Sequence, residues 1–159
     1  RFLEKIIEAS SPHHIAEAHL YYFYTTTHRK NKERSYPMAK NDYDYIVFKI
    51  LTYLYTCLKR QNSFDEEVFR NMIITKTVQE GYMIDILRMM EAEGQIEGLT
   101  FIKAWGNEYV MVGSLKDVRI TSEGVRYVLN NDKMKKIMNS ILEEAPGAIM
   151  ELVKLAFII

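Results

Sequence analysis

Four residues near the N-terminus, His13, His14, Glu17 and His19, are the side chains of this chain best suited to hold a metal ion, because His13 and Glu17 lie four apart and would share a helix face. A structural or catalytic site needs three or four converging ligands, and no second cluster follows them in the sequence. They are therefore read as solvated or half-buried side chains, with no metal and no cofactor implied. Cys57 is the sole cysteine. No histidine lies near it in sequence, and a thiol nucleophile needs a base or a positive field, so it reads as a small packing or surface residue. Asp42 and Asp44, two apart, would face different sides of a helix, and Glu143 and Glu144 are adjacent; both pairs read as solvated charge. Gly94, Gly98, Gly106 and Gly113 lack phosphate-loop spacing. With no nucleophile and base, no metal cluster and no paired carboxylates for a cleft, the expectation is a protein that is not an enzyme.

Binding chemistry is better represented. Lys76, Thr77 and Gln79 stand where a helix begins; glutamine can read adenine, and threonine can contact a phosphate or a thymine methyl. Lys103 and Asn107, on a following hairpin, would contact the backbone of double-stranded DNA. Arg29, Lys30, Lys32 and Arg34 form the one dense basic run and could supply a flexible arm. Glu80, Asp85, Glu91 and Glu93 on the same helix would repel phosphates unless they face away. The 21 basic and 21 acidic residues cancel, so any DNA contact must be local. For a protein partner, Trp105 and Phe157 are the aromatic anchors to consider, while Tyr109 reads as core.

These residues must be positioned by a sequence of elements whose types are legible. Phe2, Leu3, Ile6 and Ile7 form one helical stripe, and Ser11 with Pro12 opens a second helix reaching about Tyr24. Thr25-Thr26-Thr27 and the basic run through Pro37 read as a linker. Met38-Ala39-Lys40-Asn41 resembles a protein start, so residues 1–37 are either a helical extension or residues preceding the native start. Tyr43, Ile46, Val47, Ile50, Leu51, Leu54, Tyr55 and Leu58 recur at threes and fours and predict an amphipathic helix from Asp42. Ser63 with Glu66 resembles a capping box for a short helix bearing Val68, Phe69 and Met72, which stiff Ile73, Ile74 and Thr75 curtail. A helix from Lys76 or Thr77 to Glu93 carries Tyr82, Met83, Ile86, Leu87 and Met90 and stops at Gly94. Then Ile96, Thr100, Ile102 and Ala104 alternate with Glu97, Phe101 and Lys103, Gly106-Asn107 turns the chain, and Tyr109-Val110-Met111-Val112 returns it. A third short strand, Val118-Arg119-Ile120, leads to Thr121, which caps a helix. Asp132 caps another with Met134, Ile137, Met138 and Ile141, and Ile149, Leu152, Val153 and Ala156 give a last apolar face suited to the body or to a homodimer.

Two helices, a tight connection and a ribbon imply a mostly helical α+β fold. It is a winged helix-turn-helix with a β-hairpin wing, plus the N-terminal helical extension and C-terminal helices. The division is 1–37 extension, 38–130 winged-helix domain and 131–159 C-terminal helices. No run reaches the roughly 18 apolar residues of a membrane span, and a lone cysteine fits a cytoplasmic protein.

Tyr45-Ile46-Val47-Phe48-Lys49-Ile50-Leu51-Thr52-Tyr53-Leu54-Tyr55, Glu91-Ala92-Glu93-Gly94-Gln95-Ile96-Glu97-Gly98, Val118-Arg119-Ile120-Thr121-Ser122-Glu123-Gly124-Val125-Arg126-Tyr127-Val128 and Met134-Lys135-Lys136 resemble the YjcQ-type winged-helix proteins of Gram-positive bacteria and their phages. The resemblance covers residues 38–147. It implies a small intracellular winged helix, often prophage-linked, and supplies no catalytic residue. The leading functional expectation is a DNA-binding transcriptional regulator. The alternative is a protein-interaction winged helix, a phage adaptor or an inhibitor of a host protein.

Overall fold

The computed structural model describes residues 42–144 and 147–157. The extension expected over residues 1–37, its histidine cluster and its basic run lie outside the described residues. In chain order the elements are α1 (Asp42–Leu58), α2 (Glu66–Ile73), α3 (Glu80–Ala92), β1 (Ile96–Glu97), β2 (Thr100–Lys103), β3 (Tyr109–Val112), β4 (Arg119–Ile120), α4 (Ser122–Asn130), α5 (Asp132–Glu144) and α6 (Ala148–Phe157). Three helices followed by a two-stranded antiparallel ribbon form a winged helix-turn-helix in a mostly helical α+β chain, as the patterning predicts.

The core is built around α1, and here the structure departs from the expected one-sided stripe. Phe48, Lys49, Thr52, Tyr53 and Thr56 are buried together with Ile46, Val47, Ile50, Leu51 and Leu54, whereas Leu58 is exposed. A helix buried nearly all round belongs in the middle of a fold; α2, α3, α4, α5, α6 and β4 all pack on it. The helices α5 and α6 share this core, contributing Met134, Ile137 and Ile141, and Leu152 and Val153. The apolar face of α6 is thus internal. Phe157 stacks on Phe48 with ring centres 6.2 Å apart, and Lys59 Nζ donates to the Ala156 carbonyl at 2.6 Å.

Two caps differ from expectation. The cap of α2 is Asp65, whose carboxylate accepts the Val68 amide at 2.9 Å, not Ser63. The reason lies in the core: the buried Tyr53 hydroxyl accepts the Asp65 amide at 2.9 Å and fixes that residue in extended geometry, leaving Ser63 outside the helix. At α5 the cap is Asn131, whose side-chain oxygen accepts the amides of Lys133 and Met134, so Asp132 is the first helical residue.

Gly98, at φ +94°, divides the expected first strand. β1 pairs with β4 (Ile96↔Ile120), and β2 pairs with β3 (Phe101↔Met111, Ile102↔Val110). Thr121 fastens this ribbon to the helices. Its hydroxyl accepts the Gly124 amide and donates to the Gly94 carbonyl, while its own amide donates to Gln95. Thr121→Ala removes a helix cap and a bond between α3 and α4 together, and is expected to cost about 2 kcal/mol in urea unfolding.

Candidate nucleic-acid interface

The turn between α2 and α3 is organised by Thr75. Its hydroxyl accepts the amides of Thr77 at 3.3 Å and Val78 at 3.2 Å, and its own amide donates to the Val78 carbonyl. Val78 is buried and anchors the turn, which leaves Lys76 and Thr77 exposed on its outside. The recognition helix therefore begins at Glu80, not at Lys76 or Thr77. A threonine that bonds the amides two and three residues on holds the chain in a turn, and Gln79 follows in extended geometry (φ −86°, ψ 164°) as the residue before the helix.

Gln79 is exposed and makes no side-chain cap bond, whereas α2, α4 and α5 are capped by Asp65, Thr121 and Asn131. The first amides of α3 thus carry their partial positive charge toward solvent beside Lys76, Thr77 and Gln79. Gly81 adds nothing to cover them; a Cβ there would meet no atom within 4 Å.

Of the acidic residues on and beside α3, Glu80 forms an ion pair. Glu80 accepts from Arg70 at 2.6 Å, and Arg70 also reaches Glu66 at 3.1 Å; the Glu80 bond first holds the guanidinium above its ordinary pKa, burial pulls the other way, and Glu66 adds to the rise. Glu93 accepts from Gln95 at 3.0 Å. Burial raises the Glu91 carboxyl, and the Leu99 amide partly offsets that rise. Asp85 is exposed.

The wing stands against α3 through β3. The Arg88 guanidinium lies 4.1 Å from the centre of the Tyr109 ring, and its Nε is buried without a hydrogen-bond partner. The arginine of the recognition helix is therefore turned into the wing junction, an arrangement absent from the sequence reading. Its only sequence trace is an aromatic at the start of the return strand. At the wing tip Gly106 and Asn107 take positive φ, +79° and +65°, as expected for the turn. Lys103, Asn107 and Trp105 are exposed, Trp105 at 99%.

The structure thus groups Lys76, Thr77 and Gln79 at the end of one helix and places Lys103, Asn107 and Trp105 at the tip of the wing. It moves Phe157 inside. The body is not basic overall: residues 42–159 hold 14 Lys and Arg against 17 Asp and Glu. Arg29, Lys30, Lys32 and Arg34 lie outside the described residues.

Burial pushes the Cys57 thiol up to about 11, only partly offset by Thr56 and Arg119, so it stays protonated at neutral pH. Asp44 pairs with Lys133 at 3.3 Å. Among the described residues no group of three His, Cys, Asp or Glu could hold a metal ion, and no helix is long and apolar enough to cross a membrane.

A protein-family model described as "YjcQ protein" matches residues 48–144. No curated protein and no solved structure matches the chain.

Proposed function

The chain belongs to the YjcQ family, and from that premise we propose that it is a non-enzymatic, DNA-binding winged helix that regulates transcription, in the prophage-linked setting the resemblance implies. The observation that carries this reading is the start of α3. An uncapped helix N-terminus with Lys76, Thr77 and Gln79 exposed around it offers backbone amides, an ammonium and an amide side chain to one groove. Arg70 offsets part of the charge of Glu80 beside this helix start, and Glu93 lies at the opposite end of α3. Lys103 and Asn107 on the wing supply contacts to a neighbouring phosphate backbone.

Fluorescence anisotropy of the full chain with a random duplex at two salt concentrations tests the reading. Binding should weaken steeply with salt, and Lys76→Ala should lower the slope of log K against log salt by about 1, the share of one phosphate contact. A duplex that shows no salt-dependent binding at low ionic strength rejects the proposal.

One observation favours a second reading, a protein-interaction module. Trp105 is exposed at 99% on a wing whose outer side is apolar, which suits a protein surface better than a phosphate backbone. Under this reading duplex binding is absent, and a partner protein is retained in a manner that Trp105→Ala abolishes.

A further inference from the structure

The Arg88 guanidinium is held in place without being neutralised. Its centre lies 4.1 Å from the centre of the Tyr109 ring, yet among the described residues it makes no ion pair and no hydrogen bond, although Asp85 and Glu91 stand one helical turn away on either side. Nε is buried, whereas the side chain as a whole is half-buried, so Nη1 and Nη2 stay open to solvent. An arginine that serves packing alone normally spends its donors on carboxylates or carbonyls. Arg70 does so with Glu66 and Glu80. The strand register brings a second cation to the same place: Lys103 is paired with Tyr109, lies on the α3-facing side of the wing with it, and is exposed. Two positive groups therefore border one aromatic ring at the last rung of the hairpin before its turn.

We propose that Arg88 and Lys103, with the Tyr109 ring between them, form an oxyanion site that grips one phosphate of a DNA backbone. The site rests on the DNA-binding reading above and adds to it a contact at the far end of the recognition helix. A guanidinium fork matches two phosphate oxygens, and a fork already fixed by a ring loses little side-chain freedom on binding. Lys103 adds a point charge beside it. The placement along the helix fits a duplex: from Gln79 to Arg88 the helix axis advances about 13 Å, close to the roughly 12 Å width of a major groove. With the start of α3 inside the groove, Arg88 stands at the bordering backbone. A free phosphate compound is a poorer occupant, because both cations reach solvent and do not enclose a small ligand.

Salt titrations of the full chain against a random duplex, run on the parent, Arg88→Gln and Arg88→Lys, test the site. Arg88→Gln should bind about tenfold more weakly at low salt and lower the slope of log K against log salt by about 1. Arg88→Lys keeps the charge and should restore the slope, but only part of the affinity, because an ammonium cannot hold two oxygens at once. A second readout uses the parent chain and so survives a glutamine variant that folds poorly: the Arg88 Nε–H resonance, assigned by its disappearance in Arg88→Lys, should move as duplex is added. If Arg88 only pins the wing to α3, Arg88→Gln loses stability in urea yet keeps the parent slope, and the proposal is overturned. A resonance unmoved by a duplex that does bind overturns it too, and leaves the DNA-binding reading standing. A resonance that moves with inorganic phosphate but not with duplex assigns the site to a free anion and rejects the backbone role. With no salt-dependent duplex binding at all, both readings fall together.

Discussion

Gly124→Ala is expected to destabilise the protein by about 3 kcal/mol or more, although alanine is the better helix former by about 1 kcal/mol. The position is helical, the third residue of α4, and considered alone it would gain from the change. A Cβ built there lies 2.1 Å from the Gln95 carbonyl oxygen and 2.9 Å from Ile120 Cγ1. The first neighbour is backbone, so it cannot swing aside. That carbonyl also accepts the Thr121 amide at 3.1 Å, and displacing it breaks the link between the end of α3 and the start of α4. Gly98→Ala should be as damaging, because its Cβ would meet the Asp117 carbonyl at 2.1 Å and its φ is +94°. Gly81→Ala is the control. It sits in α3 with nothing within 4 Å, and should gain about 0.5–1 kcal/mol. Urea unfolding followed by circular dichroism separates the three; a Gly124→Ala chain as stable as its parent would contradict the close approach of α4 to Gln95.

The same contact shows why parts of this fold are legible in sequence and others are not. Local chemistry reads directly: Gly94 ends α3 at φ +72°, Thr121 caps α4, and β-branched Ile73 and Ile74 close α2, each through forces within a few residues. Long-range contacts do not read. The apolar stripe of α1 is visible at threes and fours, yet the burial of Thr52, Thr56 and Lys49 follows from six elements converging on one helix, which no local pattern records. The wing shows the limit most sharply. Alternation along residues 96–104 fixes which residues share a face but not which face is inward, and Phe101 with Met111, not Ile102, turned out to face α3. At the candidate interface, the exposure of Lys76, Thr77 and Gln79 follows from polar residues between two helices. The withdrawal of Arg88 onto Tyr109 joins residues 21 apart across the hairpin, and became visible only in three dimensions.

Lys49 leads to the second large effect, one that depends on pH. Its ammonium is buried, donates to the Met72 carbonyl at 2.6 Å, and lies 5.0 Å from the centre of the Tyr45 ring. Burial lowers its pKa from 10.5 to about 8. Below pH 8 the amine is charged in the folded and unfolded chains alike, and the folded chain bears the whole desolvation cost. Between about pH 8 and 10.5 the folded amine has lost its proton while the unfolded one keeps it, so stability climbs through this window. The rise amounts to about 3 kcal/mol when complete. Tyrosines oppose it at the upper end: burial raises Tyr43 to about 12 and also raises Tyr53, so unfolding releases their protons above pH 10 and stability falls there. The informative range is therefore pH 7.5 to 9.5, and the informative quantity is the difference between the parent and Lys49→Met. That variant removes the desolvation cost but leaves the Met72 carbonyl, at the end of α2, without its donor, a loss of about 1–3 kcal/mol. At pH 7 the two effects nearly cancel and the chains should unfold at similar urea concentrations. By pH 9.5 the parent should be the more stable by about 2 kcal/mol, because only it gains from deprotonation. Parallel stability profiles for the two chains across this range would mean that the Lys49 amine is solvated and does not hold the end of α2 against α1.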